Sequence, residues 1–435
     1  MPGLQLYFTS SPVSLQSSAD NWYQGVHAVL VLGMTANKSI AQYPILENIG
    51  QYPIPQCQYR SNPSVDVADL PSVISGERLF FIDPHERYFL YQGDRTSGYL
   101  WHLKERQSEL QQIPDQFAPF SSGICGSTKD VLRTGHYPGT LFRFPLRCAP
   151  SELSQVTYSH EHLEALLSQF ESDARLLLIF LKSVERLEVL VRDEHSNPAD
   201  VRFRVQLTDD CRDTVRKSRR CIVDAIRNCS SESFSTTYLL IVETEKYDVG
   251  KSVEKKTYRY WVNEFFAGGK ASKVLTELRE DPSVSRIPLV GTAIDLDAGS
   301  SMHSKLSSPI STKEDDTSGA EDPKRAPSGK IFCFLPLAVQ EESATGLPVH
   351  VNGYFAISQN RQHLKWPCVG QTVESDKCLL WNHHLIAELI PRSYVDLLVT
   401  ATRHSNLFTA DDVYAAIPNV IEVDEKWQVG TCTVV

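Results

Sequence analysis

No run of apolar residues in this sequence approaches the ~18 that a membrane span needs, and the first thirty residues lack a basic start followed by an apolar stretch. Cytoplasm is therefore the expected compartment, with no membrane contact. The ten cysteines are scattered, without a Cys-x-x-Cys pair or a histidine spacing that would build a zinc site. Neither a metal nor a disulfide framework is expected, and reduced core thiols are the simplest account. No Gly-x-Ser-x-Gly elbow is present to activate a serine. Positive charge is short too: a formal net charge of −10 gives no electrostatic reason to bind nucleic acid or an anionic membrane. The local exception is the run Arg212, Arg216, Lys217, Arg219 and Arg220, which has no interleaved aromatics for base stacking and reads as a solvated helix face. No internal repeat of solenoid or propeller period is found.

Hydrophobic residues make up 41% and charged residues 22% of the 435 positions, the profile of a packed chain with room for two to three domains. Residues 1–65 are polar and rich in Ser, Gln, Tyr and Pro, with one apolar run from Val26 to Gly33. The texture changes near Asp66. Leu79 to Asp83 suits a buried strand ending at Asp-Pro, His136 to Thr140 a turn, and Leu141 to Leu146 the strand it feeds. Leu163, Leu166, Leu167 and Phe170 recur at helical spacing after Ser159, a residue able to cap the start. Arg175 to Lys182, Leu187 to Val191 and Val201 to Leu207 read as strands, whose short polar connections suggest antiparallel neighbours. A basic helix near 212–228 precedes Thr236 to Glu243 and Thr257 to Val262, expected to pair as a long hairpin. Residues 299–329 are too polar and Gly/Ser/Pro-rich to offset the entropy of ordering, and read as a flexible loop interrupting one domain. Beyond it, Ile331 to Leu337 and Val349 to Ile357 read as strands, and Trp381 to Thr402 as helix. Of the histidines His85, His136, His350, His383 and His384, the last two are sequential, face different ways on a helix and have no carboxylate at a convincing ligand spacing; all five are expected to be structural or exposed.

Several blocks carry a family resemblance: Asp69 to Gly76, Phe81-Ile82-Asp83-Pro84-His85, Asp115 to Phe120, Pro138 to Arg147, Phe332 to Leu337, Gly346 to Phe355, and Leu380-Trp381-Asn382 through Pro391. In this order, from about residue 66 to about 400, they resemble the sacsin-repeat family. That resemblance implies an α+β fold: the later part of a GHKL-type ATPase-like α/β sandwich at 66–160, then a middle α/β module of mixed sheet at 161–298. The module resumes at 330–405 after the 299–329 loop, and 406–435 forms a C-terminal helix and tail. The resemblance also implies a chaperone-like protein whose family uses ATP and magnesium, and whose partners are client proteins and other chaperones.

Of the nucleotide motifs the family implies, a late Gly-Thr is present as Gly139-Thr140. A glycine-rich phosphate lid is missing, because Cys57 to Ser64 contains no glycine to leave backbone N–H groups unobstructed. Glu47 and Asn48 are adjacent, so on a helix they would point about 100° apart and could not share a magnesium site. No catalytic residue and no cofactor is therefore assigned to this chain. By analogy with GHKL machines, the loop Ser358 to Trp366 is a candidate for sensing a terminal phosphate through Arg361 and Lys365, if a helical turn sets them on one side. Three readings stay open: a chaperone-type module working through protein contacts, an active ATPase, and a scaffold segment of a giant protein.

Overall fold

The computed structural model describes residues 3–12, 26–35, 68–87, 89–91, 94–112, 131–147, 149–192, 200–228, 231–248, 251–284, 286–297, 329–337, 345–358, 363–368 and 370–431. The protein is α+β, and its chain divides into two compact units drawn from interleaved stretches.

The first unit comprises residues 1–174, 183–206 and 244–256. Its strands are β1 Gly3–Pro12, β2 Val26–Thr35, β3 Ser72–Gly76, β4 Arg78–Ile82, β5 Leu90–Tyr91, β6 Asp94–Arg95, β7 Gly98–His102, β8 Tyr137–Pro145, β9 Val184–Arg192 and β10 Asp200–Leu207. Its helices are α1 Gln107–Gln112, α2 Val131–Thr134 and most of α3 His160–Leu177. Within this unit the sheet runs β10-β9-β2-β1-β8-β3-β4-β7. The apolar run at Val26 becomes β2, parallel to β9 and antiparallel to β1. β9 and β10 are antiparallel, as their short polar connection suggests. Ile74, Leu79, Phe81, Tyr99 and Trp101 are buried, with Phe81 edge-on to Trp101 at 5.3 Å. Ser159 accepts a hydrogen bond from the His162 amide at 3.2 Å, so the expected cap forms. Helix α3 reaches β10 through Phe170 against Phe203 and through Arg202, which bonds Glu164 and Glu171.

Two expectations fail here. His136 to Thr140 is not a turn: β8 begins at Tyr137, and Pro138 and Gly139 lie inside it. Arg175 to Lys182 is not a strand but the last turn of α3 and the turn beyond it. A short, wholly apolar run carries no period, so helix and strand cannot be told apart within it.

The second unit comprises residues 175–182, 207–243 and 257–435. It contains α4 Asp209–Arg227, the inner parts of β11 Phe234–Asp248 and β12 Lys251–Phe266, α5 Lys273–Glu280, β13 Leu289–Asp295, β14 Ile331–Cys333, β15 Leu335–Pro336 and β16 His350–Gly353. A helical end follows: α6 Lys377–His384, a π-helical turn Leu385–Leu389, α7 Ile390–Thr402, α8 Ala410–Ala415 and α9 Glu425–Thr431. The strand order is β15-β14-β16-β13-β12-β11, with β11 beside β12 as expected. Tyr238, Leu240 and Val242 alternate inward on β11, the period of a half-buried strand. β13 is buried from Leu289 to Ile294, the mark of a central strand covered on both faces.

Against this sheet lies the inner side of α6 and α7. Trp381, Leu385, Leu389, Tyr394 and Leu397 are buried in one cluster with Trp261, Phe265, Val290, Val351 and Phe355. Burying such a side chain contributes about 1.5–3 kcal/mol. The π turn has a local cause. Pro391, at the start of α7, has no N–H to continue the ladder, and the preceding Ile390 amide bonds the Leu385 carbonyl instead. Helix α9 meets this turn at Gly430, where a Cβ would come within 2.4 Å of the Ile386 oxygen.

Ile331 to Leu337 is also not one strand. Phe334, at φ 64°, turns β14 back into β15, and its amide donates to Asn352 Oδ1 at 2.8 Å. The 299–329 loop, apart from Gly329, lies outside the described residues.

Candidate functional site

Gly139 and Thr140 sit in β8, an interior strand between β1 and β3. Thr140 pairs with Ser10 on one side and Ser75 on the other, and its hydroxyl shares a 2.7 Å hydrogen bond with that of Ser75. Lys365 belongs to the other unit. Leu364 bridges Ile357 in antiparallel fashion, and the Lys365 amide donates to the Ala356 carbonyl, so the backbone here is extended and not a helical turn. The Lys365 ammonium bonds Asp376 at 2.5 Å. Asp376 in turn caps α6 by accepting from the Cys378 amide at 2.7 Å. The Lys365–Asp376 bond raises the lysine's pKa and lowers that of the carboxylate. Arg361 lies outside the described residues.

The blocks that carry the family resemblance do structural work wherever they are described. Arg147 and Ser151 converge on Asp69, with Arg147 Nη2 at 2.7 Å and Ser151 Oγ at 2.9 Å. Alongside, Ala68 bridges Leu146. Asp83 Oδ2 accepts from the amides of Arg87 and Phe89, which shapes the turn after β4. Trp381 donates its indole N–H to the Tyr354 carbonyl at 2.8 Å. Beside it, Asn382 behaves like a strand edge: Oδ1 accepts from the Ala356 amide at 2.7 Å, while Nδ2 donates to the carbonyls of Ala356 and Lys365. These bonds fasten α6 to the segment that follows β16.

Three features escaped the sequence reading. The first is a buried ionic cluster in the second unit. Arg219 is not on a solvated face: it is buried on α4 and caps the end of α3, donating to the Leu178 carbonyl at 2.7 Å. Its signal was its spacing, because Cys211, Val215, Arg219 and Ile222 share one inward side. Lys182 contacts the buried carboxylate of Glu264. Burial, reinforced by the positive charge of Arg219, pushes the Lys182 ammonium well below the ordinary lysine range. Among the described residues, Arg219 Nε and Glu264 Oε2 have no hydrogen-bond partner.

The second is His350, buried at the start of β16, where Nδ1 accepts from the Lys330 amide at 3.0 Å. Burial pushes its pKa down to about 4, with Asp295 opposing and Arg175 and Lys330 reinforcing. The third is an apolar surface near the C-terminal end of the described chain. Tyr414 is 72% exposed and Ile421 92%, with Ile417, Val420 and Val429 also exposed. Hydrogen bonds tie the backbone of this segment: the Ile417 amide donates to the Tyr414 carbonyl at 3.1 Å, and Gln428 Nε2 to the carbonyls of Val423 at 3.0 Å and Val420 at 3.5 Å. Nothing in the sequence marks these side chains as outward, since their spacing equally suits a core face.

Among the described residues no group of three or more His, Cys, Asp or Glu side chains could hold a metal ion, and no helix is long and apolar enough to cross a membrane. Chemically, the described residues offer ion pairs with buried members, capped helix ends and exposed apolar side chains between Tyr414 and Val429.

Comparison with known proteins agrees with the blocks quoted above. The family described as Sacsin domain matches residues 62–204. Human (Homo sapiens) sacsin is 32% identical over 382 residues, a match that covers 84% of this chain and 8% of the human protein. The chain is a sacsin-family protein. It spans less than a tenth of the curated relative it matches.

Proposed function

We propose that this chain is a chaperone-like module that works through contacts with client proteins in the cytoplasm, its GHKL-type region serving as architecture. The observation that carries the reading is the exposed apolar surface from Tyr414 to Val429. Contiguous apolar side chains in water mark sites of protein contact more often than single exposed residues do. The nominated nucleotide residues fit the same reading. The Thr140 hydroxyl is occupied by Ser75 and the Lys365 ammonium by Asp376, so each would have to leave a partner to meet a phosphate.

The test is suppression of thermal aggregation of a model client by the full chain, alongside Ile421→Ser and Tyr414→Ser. Suppression by the wild type that weakens in both variants is expected. A wild type that leaves aggregation unchanged overturns the reading and favours a plain scaffold. Titration calorimetry with magnesium-ATP addresses the enzymatic alternative, for which low-micromolar binding would be required.

A further inference from the structure

The apolar surface does not stand in neutral surroundings. Residues 410–431 contain Asp411, Asp412, Glu422, Asp424 and Glu425 but one basic residue, Lys426. The Lys426 ammonium lies over the ring of Trp366, 5.5 Å from its centroid. Asp411, Glu422 and Glu425 are exposed beside Tyr414, Ile421 and Val429. This part of the surface therefore combines apolar side chains with a rim of negative charge.

We propose that this surface docks a basic amphipathic helix of a partner protein. The proposal rests on the reading of the chain as a protein-contact module and names the chemistry of the contact. An amphipathic helix offers apolar residues at i, i+3, i+4 and i+7 for the exposed side chains, and its flanking lysines or arginines meet the acidic rim. A second copy of this chain is a poorer occupant. It would bring the same acidic rim face to face with itself, and the chain already carries a net charge of −10. An anionic membrane is repelled for the same reason.

The decisive measurement is fluorescence anisotropy with the full chain and two labelled synthetic amphipathic helices of one pattern, leucines on one face and either lysines or glutamates on the other. The lysine helix is expected to bind saturably and more weakly as salt rises. Ile421→Ser and Tyr414→Ser should each weaken it by about tenfold or more, while Glu422→Gln combined with Glu425→Gln reduces its salt dependence. Because these side chains are exposed, the variants should melt with the wild type, which thermal unfolding checks. Equal affinity for the glutamate helix overturns the proposal, as does unchanged binding in the two serine variants. So does a dimer in sedimentation that Ile421→Ser dissolves. Tight binding of the lysine helix by a chain that fails to suppress client aggregation sustains the docking surface and removes the chaperone reading, so the two can fail separately.

Discussion

Two polar clusters in the second unit are centred on the buried residues Asn263 and Glu264, and they treat their hydrogen-bonding groups differently. On β12, Asn263 donates to Ser235 at 3.0 Å and to Thr237 at 2.8 Å, and its oxygen accepts from Ser393 at 2.7 Å. Ser393 also lies 3.0 Å from Thr292. Every member of this neutral chain has a partner. One residue along, Glu264 faces Lys182, with Arg219 and Tyr238 nearby, and among the described residues Arg219 Nε and Glu264 Oε2 are left without a partner. Amides and hydroxyls carry few donors and acceptors and can all be matched. A guanidinium carries five donors, and matching them inside a core demands more acceptors than the neighbours supply. The neutral chain therefore contributes both stability and register, while the ionic cluster fixes geometry at an energetic cost.

The sharpest way to break this comparison is to remove one charge. Glu264→Ala leaves the Lys182 ammonium without its counterion, and should destabilise the fold by about 3–5 kcal/mol in chemical denaturation. Lys182→Met combined with Glu264→Leu should instead be nearly neutral or stabilising, because it removes both desolvation costs. A double variant as unstable as Glu264→Ala would show that the pair is net favourable.

A protonation should act next. With its folded pKa lowered to about 4 against ~6.5 unfolded, His350 favours the folded state fully above ~6.5. That contribution falls as pH drops through the window toward 4, because the unfolded chain then binds the proton more readily. The loss should be on the order of 3 kcal/mol, read as a pH dependence of unfolding that His350→Asn flattens.

Breaking the neutral type of contact should cost somewhat less. Asn382→Ala strips partners from the Ala356 amide and from the carbonyls of Ala356 and Lys365. About 1–3 kcal/mol of lost stability is expected, measured by the same denaturation. The smallest effect belongs to the surface. Lys365→Ala removes an exposed ion pair with Asp376, worth at most about 1 kcal/mol. A larger loss would mean that Lys365 matters through its chain packing and not its charge.

Much of the fold was legible because period and punctuation are local. The helix from Ser159, the strands at 187–191 and 201–207, the hairpin of β11 and β12 and the helical end near Trp381 all follow from spacing and caps. The failures have a shared cause. Arg175 to Lys182 and Ile331 to Leu337 are apolar without a period, so neither the helix end nor the turn at Phe334 could be read from them. The turn expected at Pro138-Gly139 gave way to a strand held between two neighbours, which tertiary pairing decided. Of the nominated residues, Thr140 and Lys365 proved to be partnered side chains in separate units. The exposed surface at Tyr414 to Val429 was invisible, because the sequence does not say which side of a short helix meets the core.

The sequence by itself determined the family, the α+β class and the positions of most elements, since these rest on composition, local periodicity and blocks of residues in order. Only the tertiary structure decided which polar groups are buried together. Lys182, Arg219 and Glu264 come from a turn, a helix and a strand, the first and last of them 82 positions apart, and no local rule links them. It also decided which apolar residues remain in water. Burial depends on what packs against a side chain, and that is settled by distant parts of the chain.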